Sequence, residues 1–368
     1  MGPATARAGH ADTQHTPRGA DFVNGTAATH STVTVYGAYG HTGRFVVAEL
    51  AARGYRPVLA GRDAARLAAS TEATGHEARP APVDDPAALD RALAATAAVI
   101  NCAGPFAATT GPVIEAALRA GIPYLDVAAE LEANLDTFAH YADRARREKA
   151  IVVPAMAFFG GLGDLLVTTA MGDWTHADEA HIAYGLSYWH PTAGTRLSGA
   201  VSRERRGAHR LRYSGGAWQR RTDAPPTAEW LFPAPMGPRQ VVTEFTMADV
   251  VTVTDHLPIS DVHTHMALDA ARDIASSATP APTATDELGR SDQTFLVDVI
   301  VRADGVERRA VASGRDIYAV TAPLVVEALD RVLTGRIRTT GVASAGRIFD
   351  APDFLTALAP HIELTTDA

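Results

Sequence analysis

From residue 31 to residue 158 the chain alternates between two hydrophobic rhythms. Short, nearly continuous apolar runs are followed by longer segments whose apolar residues recur every three or four positions. The first rhythm suits strands buried on both faces; the second suits amphipathic helices. "TVTVYG" predicts a strand and "TGRFVVAELAARG" a helix closed by Gly54. "RPVLAG" and "DAARLAASTEATG" repeat the pair, with Asp63 as N-cap. "ARPAPVD" and "DPAALDRALAA" repeat it again, with Asp85 as cap and Pro86 at the first helical position. Further strands are expected in "AAVINCAG", "PYLDVA" and "AIVVPAMAF", separated by helices in "GPVIEAALRAG" and "LEANLDTFAHYADRARREK". Repeated strand–helix units predict a parallel, doubly wound α/β sheet.

After Phe159 the rhythm changes. A helix near "GLGDLLVTTAMGDW" gives way to longer alternating stretches: "EAHIAYGLSYW", "HRLRYSGGAWQ", "RQVVTEFTMADVVTVTD" and "FLVDVIVRADGVERRAVASGR". With a hairpin signal at Ala303–Gly305, these predict a mainly antiparallel second sheet. Pro-rich segments between them, residues 276–291 above all, read as loops. "TAPLVVEALDRVLTG" and "PDFLTALAPHI" predict closing helices.

The link between the first strand and the first helix adds chemistry. "VYGAYGHTGR" places Gly37, Gly40 and Gly43 there. The spacing G-x-x-G-x-x-G departs from the commoner G-x-G-x-x-G. Its position is nevertheless where an open parallel sheet holds a dinucleotide pyrophosphate, against free amides at the positive end of a helix. Thr42 is placed to cap that helix or to bond a phosphate. At the end of the second strand, a site for NAD carries an acid that binds the ribose hydroxyls. Here Gly61 and Arg62 stand at that point. A guanidinium matches a 2′-phosphate in charge and shape, so Arg62 points to NADP(H), with Arg66 one turn on. "NCAGPF", residues 101–106, ends the fourth strand at the crevice with small residues. Cys102 has no base beside it in the sequence and is expected to pack.

Composition narrows the class. The 368 residues are enough for two domains, and 46% hydrophobic with 20% charged residues describes a soluble globular chain. A net charge of −9 argues against a nucleic-acid partner. The basic cluster at residues 202–212 is expected to be a solvated loop or strand face, with contact to an anionic ligand or partner as the alternative. The apolar runs fall short of a membrane span. One cysteine excludes an intrachain disulfide and suggests the reducing cytoplasm. Residues 1–30 have no apolar signal core and read as a disordered tail.

"VYGAYGHTGR", "VLAGRD", "VINCAGPF", "AGIPYLDVAAE" and "GRDIYAVTAPLVVEAL" resemble the saccharopine dehydrogenase-like family, and within it the bacterial branch of trans-acting enoyl reductases and NADP-binding-domain proteins. The match is specific over residues 32–170, weaker from 171 to 310, and resumes near 314–345. The resemblance implies a Rossmann domain at 31–158 and 315–368, with an inserted substrate or dimerisation domain at 159–314. Carried over by position, Gly37, Tyr39, Gly40, His41, Thr42 and Gly43 form the pyrophosphate turn, in which Tyr39 and His41 depart from the family's usual residues. Arg62 would hold the 2′-phosphate, and Asn101, Ala103, Gly104 and Pro105 would line the nicotinamide end. "VAAE" replaces the family's usual valine-threonine-glycine-glutamate.

Reduction by a hydride usually needs a proton donor. Tyr124, Asp126 and Glu130 lie on or just after the fifth strand, beside the crevice, and His190 follows the second domain's first strand. Tyr124, Asp126 and His190 are the catalytic candidates, Trp189 a stacking one. Packing or capping roles are the alternatives. Asp261, His263 and His265 form a rival constellation with metal-ligand spacing, but no barrel pattern surrounds it and no metal is assigned. The leading expectation is an NADPH-dependent oxidoreductase that reduces a C=C, C=N or C=O bond of a small metabolite or carrier-linked substrate. The alternatives are an NAD(P)-binding regulator, a non-redox lyase or isomerase, and a metal-dependent hydrolase. A long second sheet is compatible with a homodimer.

Overall fold

The computed structural model describes residues 1–2, 31–207 and 209–367. The tail expected over residues 1–30 lies, apart from Met1 and Gly2, outside the described residues. The first domain runs β1 (Thr32–Tyr36), α1 (His41–Ala52), β2 (Arg56–Gly61), α2 (Ala64–Thr74), β3 (Glu77–Pro80), α3 (Pro86–Leu93), β4 (Ala98–Asn101), α4 (Phe106–Ala120), β5 (Tyr124–Asp126), α5 (Leu131–Glu148) and β6 (Ile151–Val153). Its strands pair in parallel in the order β3-β2-β1-β4-β5-β6. The order reverses beside β1, so a crevice opens between the carboxyl ends of β1 and β4. Local chemistry agrees with the pattern. Asp63 caps α2 by accepting from the amides of Ala65 and Arg66, and Asp85 caps α3 by accepting from that of Ala88. The face of α1 carrying Val46, Val47 and Leu50 is buried.

A tight turn, Phe158–Leu162, leads out of this domain, with Gly160 at φ +95°. The insertion then runs α6 (Gly163–Met171), β7 (Ala177–Leu186), α7 (Ala193–Arg206), β8 (Arg210–Ser214), β9 (Ala217–Arg221), β10 (Thr227–Leu231), β11 (Pro238–Thr243), α8 (Asp249–Thr254), β12 (Ile259–Ala267), α9 (Leu268–Ala275), β13 (Thr294–Ala303) and β14 (Val306–Arg315). Buried Asp249 on α8 fixes the turn. Its Oδ1 accepts from the Gly160 amide at 3.1 Å and from the Tyr184 hydroxyl at 2.6 Å. The chain closes with α10 (Thr321–Leu333), β15 (Gly341–Val342), α11 (Ala345–Ile348), α12 (Ala351–Ala357) and β16 (Ile362–Asp367).

These last elements are shared between the sheets. β15 extends the first sheet beside β6, and α10 packs on α1. Arg53 reaches Glu327 at 2.8 Å, and the Tyr55 hydroxyl donates to Asp330 at 2.8 Å, tying the returning helix to the first domain. β16, by contrast, joins the second sheet beside β14. That sheet runs β10-β11-β12-β7-β13-β14-β16, with the β8–β9 hairpin attached to β12. Every pair is antiparallel except β12 with β7. The β13–β14 hairpin turns at Asp304 and Gly305, φ +51° and +78°, the doubly positive pair that a two-residue hairpin turn needs. The segment at 188–199, which had no assigned secondary structure in the sequence, leads into α7, as does the first half of the basic cluster at 202–212. Only Ser202 of that helix is buried and Leu197 is exposed, so it carries no continuous apolar stripe for the sequence pattern to show.

Candidate functional site: a cleft between the two sheets

The glycine turn fits close packing of backbone against backbone. Gly37 has φ +86°, and a Cβ there would lie 2.8 Å from the Ala103 amide nitrogen. At Gly43 a Cβ would lie 2.2 Å from the Gly37 carbonyl oxygen. The two glycines therefore let β1, β4 and the start of α1 converge. Gly40 is the residue before α1, and no side chain caps that helix. The amides of the first turn thus have no intrahelical partner and stand at the positive end of the helix dipole. His41 and Thr42 are half-buried beside them. The His41 ring meets Phe45 and Tyr318 edge-on at 5.3 and 5.2 Å, and burial lowers its pKa against the pull of Asp316.

The end of β2 is built around Tyr39. Its ring covers Gly61, where a Cβ would lie 2.8 Å from Cε1. The Arg66 guanidinium stacks 4.4 Å from the Tyr39 ring centroid and reaches the Tyr39 carbonyl oxygen at 3.4 Å. Arg62 is exposed beside this stack, with no hydrogen bond or ion pair among the described residues. A free guanidinium next to an aromatic face and an uncapped helix is a donor set that fits an adenosine 2′-phosphate and pyrophosphate.

The carboxyl ends of β4, β5 and β6 are joined by a buried polar network. Asn101 Nδ2 donates to the Tyr124 hydroxyl at 3.1 Å and to Thr109 Oγ1 at 3.2 Å, while its Oδ1 accepts from the Ala103 amide at 3.0 Å. The Tyr124 hydroxyl donates to Asp126 Oδ2 at 2.9 Å. Asp126 Oδ1 accepts from the amides of Ala128 and Ala155 at 3.0 and 2.8 Å. Tyr124 and Asp126 are fully buried. Burial lifts the Asp126 carboxyl to about 6, opposed by those hydrogen bonds, and pushes the Tyr124 hydroxyl and the Cys102 thiol up as well. Cys102 is thus a protonated thiol at neutral pH.

These parts open on one cleft of about 1110 Å³. Its floor carries the glycine turn, Arg62, Arg66 and the loop Cys102–Phe106; its roof comes from α7, α9 and the stretch after β11. Helix α7 comes close enough that a Cβ on Gly104 would lie 2.5 Å from Ser198 Oγ. Of the residues expected from the sequence, Gly37, Tyr39, Gly40, His41, Thr42, Arg62, Ala103, Gly104 and Pro105 line the cleft. Gly43 is buried at the packing contact, and Asn101, Tyr124 and Asp126 lie beneath the lining. The His190 ring packs on Tyr188, centroids 4.3 Å apart, away from the lining, whereas buried Trp189 does reach it and donates from Nε1 to the Tyr318 hydroxyl at 3.1 Å.

Glu130 is the carboxylate at the loop end of the cleft. Its Oε1 accepts from the Phe106 amide at 3.3 Å, and Ser198 hydrogen-bonds its side chain. Burial raises its pKa despite those bonds. Tyr318, whose hydroxyl joins Trp189, Thr195 and the Thr192 amide, was hidden from the sequence reading because it sits beyond the insertion, in the returning segment.

Fold and site together define a dinucleotide-binding protein of the Rossmann type with an inserted second domain. Residues 33–155 match the saccharopine dehydrogenase NADP binding domain, and the first domain of this chain belongs to that family. NADP(H) is its cofactor. A probable mitochondrial saccharopine dehydrogenase-like oxidoreductase of Arabidopsis thaliana is 34% identical over 145 residues, covering 34% of this chain and 31% of the plant protein. The chain thus matches about a third of the length of that relative. The saccharopine dehydrogenase (L-Glu forming) of Saccharomyces cerevisiae, solved without ligand, superposes with a TM-score of 0.64 over 92% of this chain and all of its own, at 14% identity. That likeness extends the shared fold to both domains.

Proposed function

We propose that the chain is an NADPH-dependent reductase acting on a C=C, C=N or C=O bond of a small metabolite or a carrier-linked intermediate. The observation that carries this reading is the continuous cleft, which joins the glycine turn and Arg62 to a roof supplied by the other domain. Two domains closing over a cofactor exclude water from the transfer and strengthen polar contacts inside.

Bound NADPH supplies a hydride to the substrate. The first-turn amides of α1, with Thr42, hold the pyrophosphate. Arg62 and Arg66 hold the 2′-phosphate, and the Tyr39 ring gives the adenosine end an apolar face. Ala103, Gly104 and Pro105 keep the loop small enough for a flat ring to lie against it. Asn101, Tyr124 and Asp126 are positioning residues that lock the three strand ends from below. Glu130 Oε2 is the group that delivers a proton, because its carboxyl is held at the loop end of the cleft and kept protonated to a higher pH than usual. Phe159 and Trp189 close off water from the side of the second sheet. The described chain has no helix long and apolar enough to cross a membrane, and we place the enzyme in a reducing compartment on its single cysteine.

Purified protein incubated with NADPH and a panel of enoyl, imine and ketone substrates tests the reading by loss of NADPH absorbance. Turnover of any of them supports it. Tight NADPH binding with no oxidation across the panel, or with a non-redox product, favours a binding protein or a lyase on the same fold.

A further inference from the structure

On the second sheet, away from the cleft, three imidazoles and a carboxylate gather on one face. His181 on β7 and His263 on β12 are register partners across the parallel pair, and their rings stack with centroids 4.8 Å apart. Glu179 lies two residues before His181 and His265 two after His263, so strand alternation puts all four on the same side. Glu179, His181 and His263 each bring one ligand atom within 4.8 Å of the others. His181 Nε2 is buried and lies 3.1 Å from Glu179 Oε2, so these two ligand atoms already face each other.

We infer that Glu179, His181 and His263 form a binding site for a divalent cation of the zinc type. The chemistry of the surroundings supports it. His181 Nδ1 lies 3.0 Å from His265 Nε2, so with Nε2 on the ion, Nδ1–H donates to His265. Such an outer partner fixes the tautomer of a ligating histidine. His265 is itself held by stacking on Trp230, centroids 4.9 Å apart. Glu179 has its other oxygen, Oε1, on Arg302 at 2.7 Å, which leaves Oε2 for the ion. Asp261, the remaining acid of the motif, is engaged by Ser214 and the Gly215 amide and is not a ligand. A tetrahedral ion with bonds of ~2.1 Å sets its ligand atoms ~3.4 Å apart, so side-chain rotation alone closes the cluster. Two imidazoles and one carboxylate leave a fourth position for water, because all three ligands are only half-buried. None of the four residues lines the cleft, so the ion clamps β7 to β12 rather than entering the reduction.

The test uses the full chain, stripped with chelator and then titrated with Co²⁺ and Zn²⁺. The expected result is one equivalent of Co²⁺ bound more tightly than ~10 μM, with visible absorption bands that Zn²⁺ abolishes. The double variant His181→Ala/His263→Ala loses that site, and His265→Ala weakens it by ~10–100-fold. Crystals of the unmodified protein soaked in Zn²⁺ show an anomalous peak at the cluster, a readout independent of whether variants fold. Absence of binding at that strength, parental binding in a folded double variant, or an anomalous peak elsewhere overturns the assignment.

Discussion

Arg62→Ala separates recognition of the 2′-phosphate from everything else that the site does. In the free protein Arg62 is exposed and makes no hydrogen bond or ion pair among the described residues. Its removal therefore leaves no buried group unpaired, and the melting temperature should stay within about a degree of the parent. The loss falls on the ligand. A charged hydrogen bond contributes ~1.5–3 kcal/mol, and solvent exposure of the guanidinium places this one at the lower end. At ~1.4 kcal/mol per tenfold, NADPH should bind ~10–30-fold more weakly. NADH, which lacks the phosphate, should change by less than about twofold. Raised ionic strength should shrink the difference, since the contact is screened. Titration calorimetry of parent and variant with both nucleotides, at two salt concentrations, reads all of these quantities. Equal losses for NADPH and NADH would refute the assignment, as would a parent that binds the two alike.

Other substitutions probe the turn, the proton and the floor. Gly40→Val should abolish NADPH binding while leaving the circular dichroism spectrum unchanged, because Gly40 lines the cleft and its added side chain occupies the pyrophosphate position; a folded variant with parental affinity would move the phosphate site elsewhere. Glu130 has a raised pKa and is needed protonated, so kcat should fall as pH rises through that pKa. Glu130→Gln should lower kcat by ~10²–10⁴, flatten that limb and leave NADPH affinity intact; an unchanged profile would remove Glu130 as donor. Asp126→Ala leaves two buried amides and a hydroxyl without their acceptor, and should cost about 3 kcal/mol in a denaturant titration. Its carboxyl has its folded pKa raised to about 6, so its contribution to stability is full below the ordinary 3.8 and declines as pH rises through about 6. A parental denaturation midpoint for the Ala variant would mean that the strand ends are held by other contacts.

The first sheet was legible because its information is local. Most of its strands are short apolar runs, and helix ends are marked by Asp63 on α2, Asp85 on α3, Gly75 after α2 and Gly121 after α4. The glycine turn was legible for a related reason. Gly37 and Gly43 are dictated by backbone approach, a constraint that no other residue meets. Proton donors were harder to read. Tyr124 and Asp126 stand at strand ends like crevice residues, yet each finds its partners inward, so position along the chain gave their neighbourhood and not their exposure. β16 was also hidden: "IELTTD" follows two helices of the first domain but pairs with β14, a contact between distant segments that no local pattern encodes.

The same distinction locates specificity. The glycine turn, Arg62 and the loop Cys102–Phe106 were read from local pattern, and that half of the cleft is built from one continuous domain. The other half is assembled from pieces far apart in sequence: Ser198 and Arg203 on α7, Phe245 and Met247 after β11, Ile274 on α9 and Tyr318 after β14. Arg203 is exposed and, among the described residues, has no hydrogen bond or ion pair. Its neighbour Arg206 is tied to Glu132 at 2.9 Å, and Arg210 to Glu244 at 2.9 Å. Of these three arginines, Arg203 is therefore the one whose charge is not already neutralised by a carboxylate. An anionic substrate, carrying a carboxylate or the phosphate of a carrier, would meet that charge without displacing a structural ion pair. Arg203→Ala should accordingly raise KM for an anionic substrate and leave NADPH affinity and the KM for a neutral analogue unchanged. Equal effects on the anionic and neutral substrates would show that α7 recognises shape alone.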